Sequence, residues 1–131
     1  MVLIFNPQNH GLSKIFKDYQ EEAVKFIWEV GDRGAISKEV WIRVNERLVG
    51  KTISRASIIN FLSAMVDEGV FDYHEETGKG GYHRVYKSKL DEPAFKKHLA
   101  QIMISSLMKD YPEETREVIK STKKRRLFSR N

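Results

Sequence analysis

The side chains able to hold a metal or move a proton are few: His10, His74, His83 and His98, in a 131-residue chain without cysteine. No HExxH-type spacing joins these histidines. His74 and His83 flank a glycine-rich stretch and could face one another across a hairpin, with Glu75 or Glu76 beside them, a geometry open to zinc or nickel. Paired strand histidines without thiolates are more commonly structural, and neither a metal nor any other cofactor is expected. The stretch "GKGG", Gly78 to Gly81, lacks the GxxxxGK[ST] spacing and the following helix of a phosphate loop. No nucleophile, base and orienting acid can be assembled, so the chain reads as a non-enzyme.

A different pattern carries more. Charged residues make up 31% of the chain, yet "SRASIINFLSAMVDEG", Ser54 to Gly69, has no charge between Arg55 and Asp67. At 100° per residue Ile58, Phe61, Leu62, Met65 and Val66 gather on one side, with Ile59 at its edge, and Ala56, Ser57, Asn60, Ser63 and Ala64 on the other. A solvated helix in so charged a protein would carry Lys and Glu there. Small neutral side chains suit a surface pressed against something else. The major groove of B-DNA admits a helix, Ser and Asn can reach base edges, and Ala can touch a thymine methyl. A helix packed on another part of this protein or on a partner subunit is the competing reading.

Cations surround this stretch in sequence. Arg55 follows its first residue; Arg43, Arg47 and Lys51 precede it; Lys79, His83 and Arg84 follow in the glycine-rich region. Ser54, Arg55, Ser57 and Asn60 are the candidates for base or cap contacts, and the others for phosphates, which take half or more of the hydrogen bonds to DNA. The formal charge of +5 is a mild bias towards anionic partners.

The surrounding elements make this arrangement plausible. Asp18 to Val30 is an amphipathic helix with Tyr19, Ala23, Phe26, Ile27 and Val30 on one face and acids near its N-terminus. Ser37 is the expected N-cap of a second helix reaching Leu48, with Val40, Trp41, Val44 and Leu48 inward. Ser54 caps the third, and Gly69 ends it. "VFDYHEE" and "YHRVYKSK" then read as strands joined through Thr77 to Gly81. Three helices and a hairpin predict a winged helix-turn-helix of α+β class, mainly α, with the uncharged helix as recognition helix.

From Asp91-Glu92-Pro93 a further helix starts. Phe95, Leu99, Ala100, Ile102, Met103, Ile104, Leu107 and Met108 cover more than one of its faces, so it must be buried on several sides. A second protomer is the simplest cover, and Phe95, Leu99, Ile102, Met103 and Leu107 are the candidate dimerisation residues of a two-fold homodimer. Tyr111-Pro112 breaks this helix, and Glu113 to Lys120 is a short helix that assists the contact. The expected organisation is an N-terminal extension (1–17), the DNA-binding domain (18–90), dimerisation helices (91–120) and a basic, disordered tail (121–131), "STKKRRLFSRN", able to act as a non-specific phosphate arm. A second full domain does not fit this length. The apolar run from Val2 to Phe5 is too short for a signal peptide or membrane span, and a soluble, cytoplasmic protein is expected.

The segments "EEAVKFIWEVGDRGAISKEVWIRV", "TISRASIINFLSAMVDEGVFDYHEE" and "GYHRVYKSKLDEPAFKKHL" resemble the penicillinase and methicillin-resistance repressor family (BlaI/MecI), which includes copper-responsive repressors (CopY). The resemblance covers about residues 18 to 108. It implies a homodimeric transcriptional repressor on a palindromic operator, with Ser54, Arg55, Ser57 and Asn60 in the recognition helix. The cysteine pairs of the copper-responsive members are absent, as is an Asn-Phe cleavage point in "KHLAQIMISSLMK"; the wing loop looks long, and residues 1–17 have no counterpart there. Regulators of the MarR or PadR type, or a winged-helix module that docks a protein, are the alternatives. An operator sequence and an effector are not legible.

Overall fold

The first helix, α1 (Asp18–Val30), begins where Gln20 folds back on it: Lys17 N donates to Gln20 Oε1 at 2.9 Å, satisfying one of the orphan groups of a helix start. The computed structural model describes residues 3–125. The second helix, α2 (Ser37–Arg47), is capped the same way, with Ile36 N donating to Glu39 Oε1. Ile36 therefore occupies the cap position expected for Ser37, and Glu39 satisfies the cap residue's own N–H, the back half of a capping box. The third helix, α3 (Arg55–Asp67), has the expected Ser54 cap, whose Oγ accepts from Ser57 N at 3.1 Å. It closes on Gly69 at φ +77°.

Two antiparallel strands follow, β1 (Phe71–Gly78) and β2 (Gly81–Ser88), paired from Phe71 with Ser88 to Gly78 with Gly81. Only Lys79 and Gly80 connect them, so the apparent length of the wing lies in its strands and not in its loop. Ahead of α2, Ala35 exchanges backbone hydrogen bonds of 2.9 and 2.8 Å with Tyr86, adding one rung to the hairpin. Gly34 permits this approach: its φ is +73°, and a Cβ there would lie 2.6 Å from Val85 Cγ1 and 2.9 Å from Tyr86 O.

Ala23, Val24, Phe26 and Ile27 of α1, Val40 and Val44 of α2, and Ile58, Phe61, Leu62 and Met65 of α3 form the core with Val70, Phe71, Val85 and Tyr86. Full burial of one such large side chain contributes about 2 kcal/mol. The N-terminal segment, expected as a separate extension, enters this core instead. Its 3₁₀ turn, Gly11–Lys14, is followed by Ile15 and Phe16, and Leu12, Ile15 and Phe16 are buried. Phe16 meets the edge of Phe61 at 5.7 Å between ring centroids. Trp28 Nε1 donates to Leu90 O at 3.0 Å and holds the chain leaving the hairpin against α1. This unit, ending at Asp91, is a winged helix-turn-helix, the fold class the element order predicts.

The second unit, from Glu92 on, contains α4 (Glu92–Asp110) and α5 (Pro112–Arg125). Tyr111 N closes α4 on Leu107 O, and Tyr111 O receives Thr115 N at the start of α5. Pro112 is tolerated there because a first-turn residue needs no N–H partner. The α5 helix continues through Arg125, past the expected end at Lys120, so the first part of the expected basic tail is helical. The remainder, including Arg126 and Arg130, lies outside the described residues.

The two apolar faces of α4 differ. Phe95 is fully buried and Leu99, Ile102 and Met103 are half-buried, whereas Ile104, Leu107 and Tyr111 remain 44%, 47% and 57% exposed. Phe95, expected to meet a second protomer, is therefore an interior residue of the single chain. Among the described residues no helix is long and apolar enough to cross a membrane.

Candidate nucleic-acid interface

The loop between α2 and α3 sets the direction of the uncharged helix. Asn45 Oδ1 accepts from Ile53 N at 2.8 Å, Asn45 Nδ2 donates to Ile53 O and to Trp41 O, and Trp41 Nε1 donates to Ile53 O at 2.9 Å. These bonds hold the residue just before the Ser54 cap, so α2 and the start of α3 move together. Sequence reasoning counted Trp41 only as an apolar contact and passed over Asn45. Its one signal was an amide in a helix otherwise divided between apolar and charged residues.

On α3 Ile58, Phe61, Leu62 and Met65 are buried as the helical period predicts and Val66 is half-buried; Ala56 and Asn60 are exposed while Ser57, Ser63 and Ala64 are half-buried. Among the described residues nothing covers Asn60 or Ala56. The Ser54 hydroxyl donates to Ser57 Oγ at 3.0 Å, leaving the Ser57 proton free to be donated outwards. Arg55 is exposed and forms no salt bridge among the described residues.

The basic residues before α3 stand differently. Arg47 pairs with Glu29 at 2.9 Å and Glu22 at 3.6 Å, tying α2 to α1. The Glu29 hydrogen bond raises the Arg47 pKa further above its ordinary value, and Arg47 in turn holds the Glu29 carboxyl below its own. Lys51 contacts Asp18, whose pKa is lowered first by that hydrogen bond. Arg43 pairs with Glu46 at 3.2 Å and lies 5.1 Å above the Phe26 ring. The structure thus gives the expected phosphate contacts Arg43, Arg47 and Lys51 carboxylate partners inside the chain.

On the wing, Arg84 is exposed and its guanidinium lies 4.3 Å above the Tyr73 ring. Its pKa is raised, first by hydrogen bonding to Tyr86. Lys79 is exposed at the hairpin tip without a salt bridge among the described residues. His83 Nε2 donates to Lys79 O at 3.1 Å and closes the turn. The facing of His74 and His83 that the sequence left open does not occur: His74 stands opposite Val85 and bonds Glu76 at 2.8 Å, and His83 stands opposite Glu76. Among the described residues no group of three His, Asp or Glu side chains could hold a metal.

Between α3 and the wing lies a cleft of about 250 Å³, lined by Ser37 from the start of α2, Arg55, Ile59 and Ser63 from α3, and Tyr82 and Arg84 from β2, among others. Tyr82, 78% exposed, is a large side chain of this edge that sequence reasoning left aside. Uncharged helix face, cleft and wing cations form one continuous border around the N-terminal half of α3.

No protein-family model and no curated protein matches the chain. Among solved structures, a chain of the crystal structure of the Giardia lamblia Hop2-Mnd1 complex is similar over 88% of this chain and 65% of its own length, so this chain spans less than two thirds of it. The identity is 16% and the TM-score 0.37, a likeness too distant to bear on function.

Proposed function

We propose that this protein is a non-enzymatic, double-stranded DNA-binding transcriptional regulator of the cytoplasm, acting as a homodimer on a palindromic operator. The observation that carries the reading is the exposed, uncharged face of α3, bordered by Arg55, Lys79 and Arg84, which have no salt bridges among the described residues. In this reading α3 enters the major groove, where Asn60 can bond adenine through two groups and the Ala56 methyl can meet thymine. Arg55 reaches a guanine or a phosphate from the first turn. Lys79 and Arg84 reach phosphates, supplying affinity that is independent of sequence. The direction of control, repression, rests on the resemblance to the penicillinase repressors.

A protein-docking module is the second reading, favoured by the exposure of Ile59 and Tyr82 on either side of the cleft. Salt separates the two, because phosphate contacts release counterions and docking through a neutral face does not. Fluorescence anisotropy of a labelled random duplex, at low and near-physiological salt with single-stranded DNA and RNA as competitors, should show binding that falls steeply with salt and prefers the duplex. No binding at low salt would discard the DNA reading in favour of docking.

A further inference from the structure

The α5 helix carries its acids towards its start and most of its bases towards its end. Glu113, Glu117, Lys120 and Lys124 follow the spacing i, i+4, i+7, i+11, which places these positions along one line of the helix. Within the line Glu113 and Glu117 are like-charged neighbours at i,i+4, and so are the positions of Lys120 and Lys124; beside it Arg116 and Lys120 repeat the same spacing. The separation of acids from bases suits the helix dipole, and Glu117 and Lys120 are opposite charges at i,i+3. Among the described residues no salt bridge involves Glu113, Glu117, Arg116 or Lys120, although exposed residues elsewhere in the chain, such as Lys25 with Glu21, do form i,i+4 pairs.

Reflection of α5 about the bond between Val118 and Ile119 exchanges Glu117 with Lys120 and Glu113 with Lys124. An antiparallel copy of the same helix thus presents a cation to every acid of the line and an acid to every cation. A two-fold axis requires this self-complementarity, since position i meets j and j meets i. The groove beside the line supplies an apolar surface to cover. It measures about 610 Å³, is lined by Ile104 and Met108 of α4 and Ile119 of α5, and has Arg116, Glu117, Lys120 and Lys123 along its α5 side. Ile104 and the neighbouring Leu107 are exposed in the single chain.

We infer that the α4–α5 groove is the contact surface for a second copy of this chain, with the two α5 helices antiparallel and Glu117 facing Lys120 of the partner across the two-fold axis. This specifies the homodimer of the proposed function and rests on that part of it. The apolar lining provides the drive for association, and the charge line selects the antiparallel copy over the parallel one. The face differs from the one the sequence suggested: Ile104 replaces Phe95 as its apolar centre.

Sedimentation velocity on the full chain and on three charge variants tests the inference. The wild type should be a dimer at micromolar concentration. The variants Glu113→Lys/Glu117→Lys and Lys120→Glu/Lys124→Glu should each self-associate at least about tenfold more weakly, as a charge line turned on its like repels. Mixed together, the two should form a heterodimer, and the fourfold swap in one chain should restore the homodimer. A monomeric wild type, reversed variants that dimerise like the wild type, or a mixture with no gain in affinity would each overturn it. Circular dichroism and melting confirm that the surface variants stay folded, and duplex binding is measured on the same samples. A dimer that follows the charge swap but binds no duplex keeps this interface and rejects the DNA reading; duplex binding with no response to the swap does the reverse.

Discussion

The seam between α1 and α2 and the border between α3 and the wing carry similar side chains in opposite states. At the seam Arg47 meets Glu29 and Glu22, and Lys51 meets Asp18. At the border Arg55 and Lys79 meet no carboxylate among the described residues, and Arg84 rests on the Tyr73 ring. A phosphate approaching the seam must compete with a carboxylate already in place, whereas one approaching the border meets an open cation. The difference teaches that the basic count of a sequence overstates its available positive charge, and that three cations bordering the uncharged helix are among those left open.

The comparison breaks most completely if the frame holding the wing is displaced. Gly34→Ala places a Cβ against Val85 and the Tyr86 carbonyl at a positive φ, and should lower stability by about 3 kcal/mol in denaturant unfolding. Unchanged stability would mean that the Ala35–Tyr86 rung is not maintained in solution. Next in size, Asn60→Ala should weaken binding to a selected operator by about 2 kcal/mol while leaving random duplex nearly untouched. Equal loss on both kinds of DNA would remove Asn60 from base recognition.

Arg55→Ala and Arg84→Ala sharpen the border side of the comparison. Each should weaken binding to all duplexes and reduce the salt slope by about one, with melting unchanged. Arg47→Ala sharpens the seam side and has the smallest effect, a loss of about 0.5 kcal/mol in stability, since Glu29 is 51% exposed and solvent screens the pair. Its salt slope on DNA should equal that of the wild type; a reduced slope would place Arg47 at the interface after all. The same variant tests the acid limb of stability. The pKa of Glu29 is lowered in the fold, so its pairing stabilises above the unfolded value, about pH 4.3, and is lost as the pH falls through the lowered folded value. Removing Arg47 should flatten the stability curve in that window.

Local physics made much of the molecule legible. The bounds of α1, the Ser54 cap, the inward face of α3 and the glycine turn of the wing all follow from helical period, capping chemistry and the conformational freedom of glycine. Legibility fell where a residue's partner is distant in the chain. Leu12, Ile15 and Phe16 have no long period to announce them, yet they complete the core through Phe61. Asn45 is unremarkable in its own helix and acts across the loop through the Ile53 backbone. The α4 pattern signalled two apolar faces without showing which one the single chain covers.

The sequence by itself determined the order and type of the elements and the uncharged face of α3, because periodicity and caps act within a few residues of one another. Only the tertiary structure decided which cations remain open. Arg47 and Glu29 are far apart in the chain and become partners through the crossing of α1 and α2, whereas Arg55, at the start of α3, meets no carboxylate among the described residues. An ion pair depends on distances of a few ångströms, and folding sets those distances.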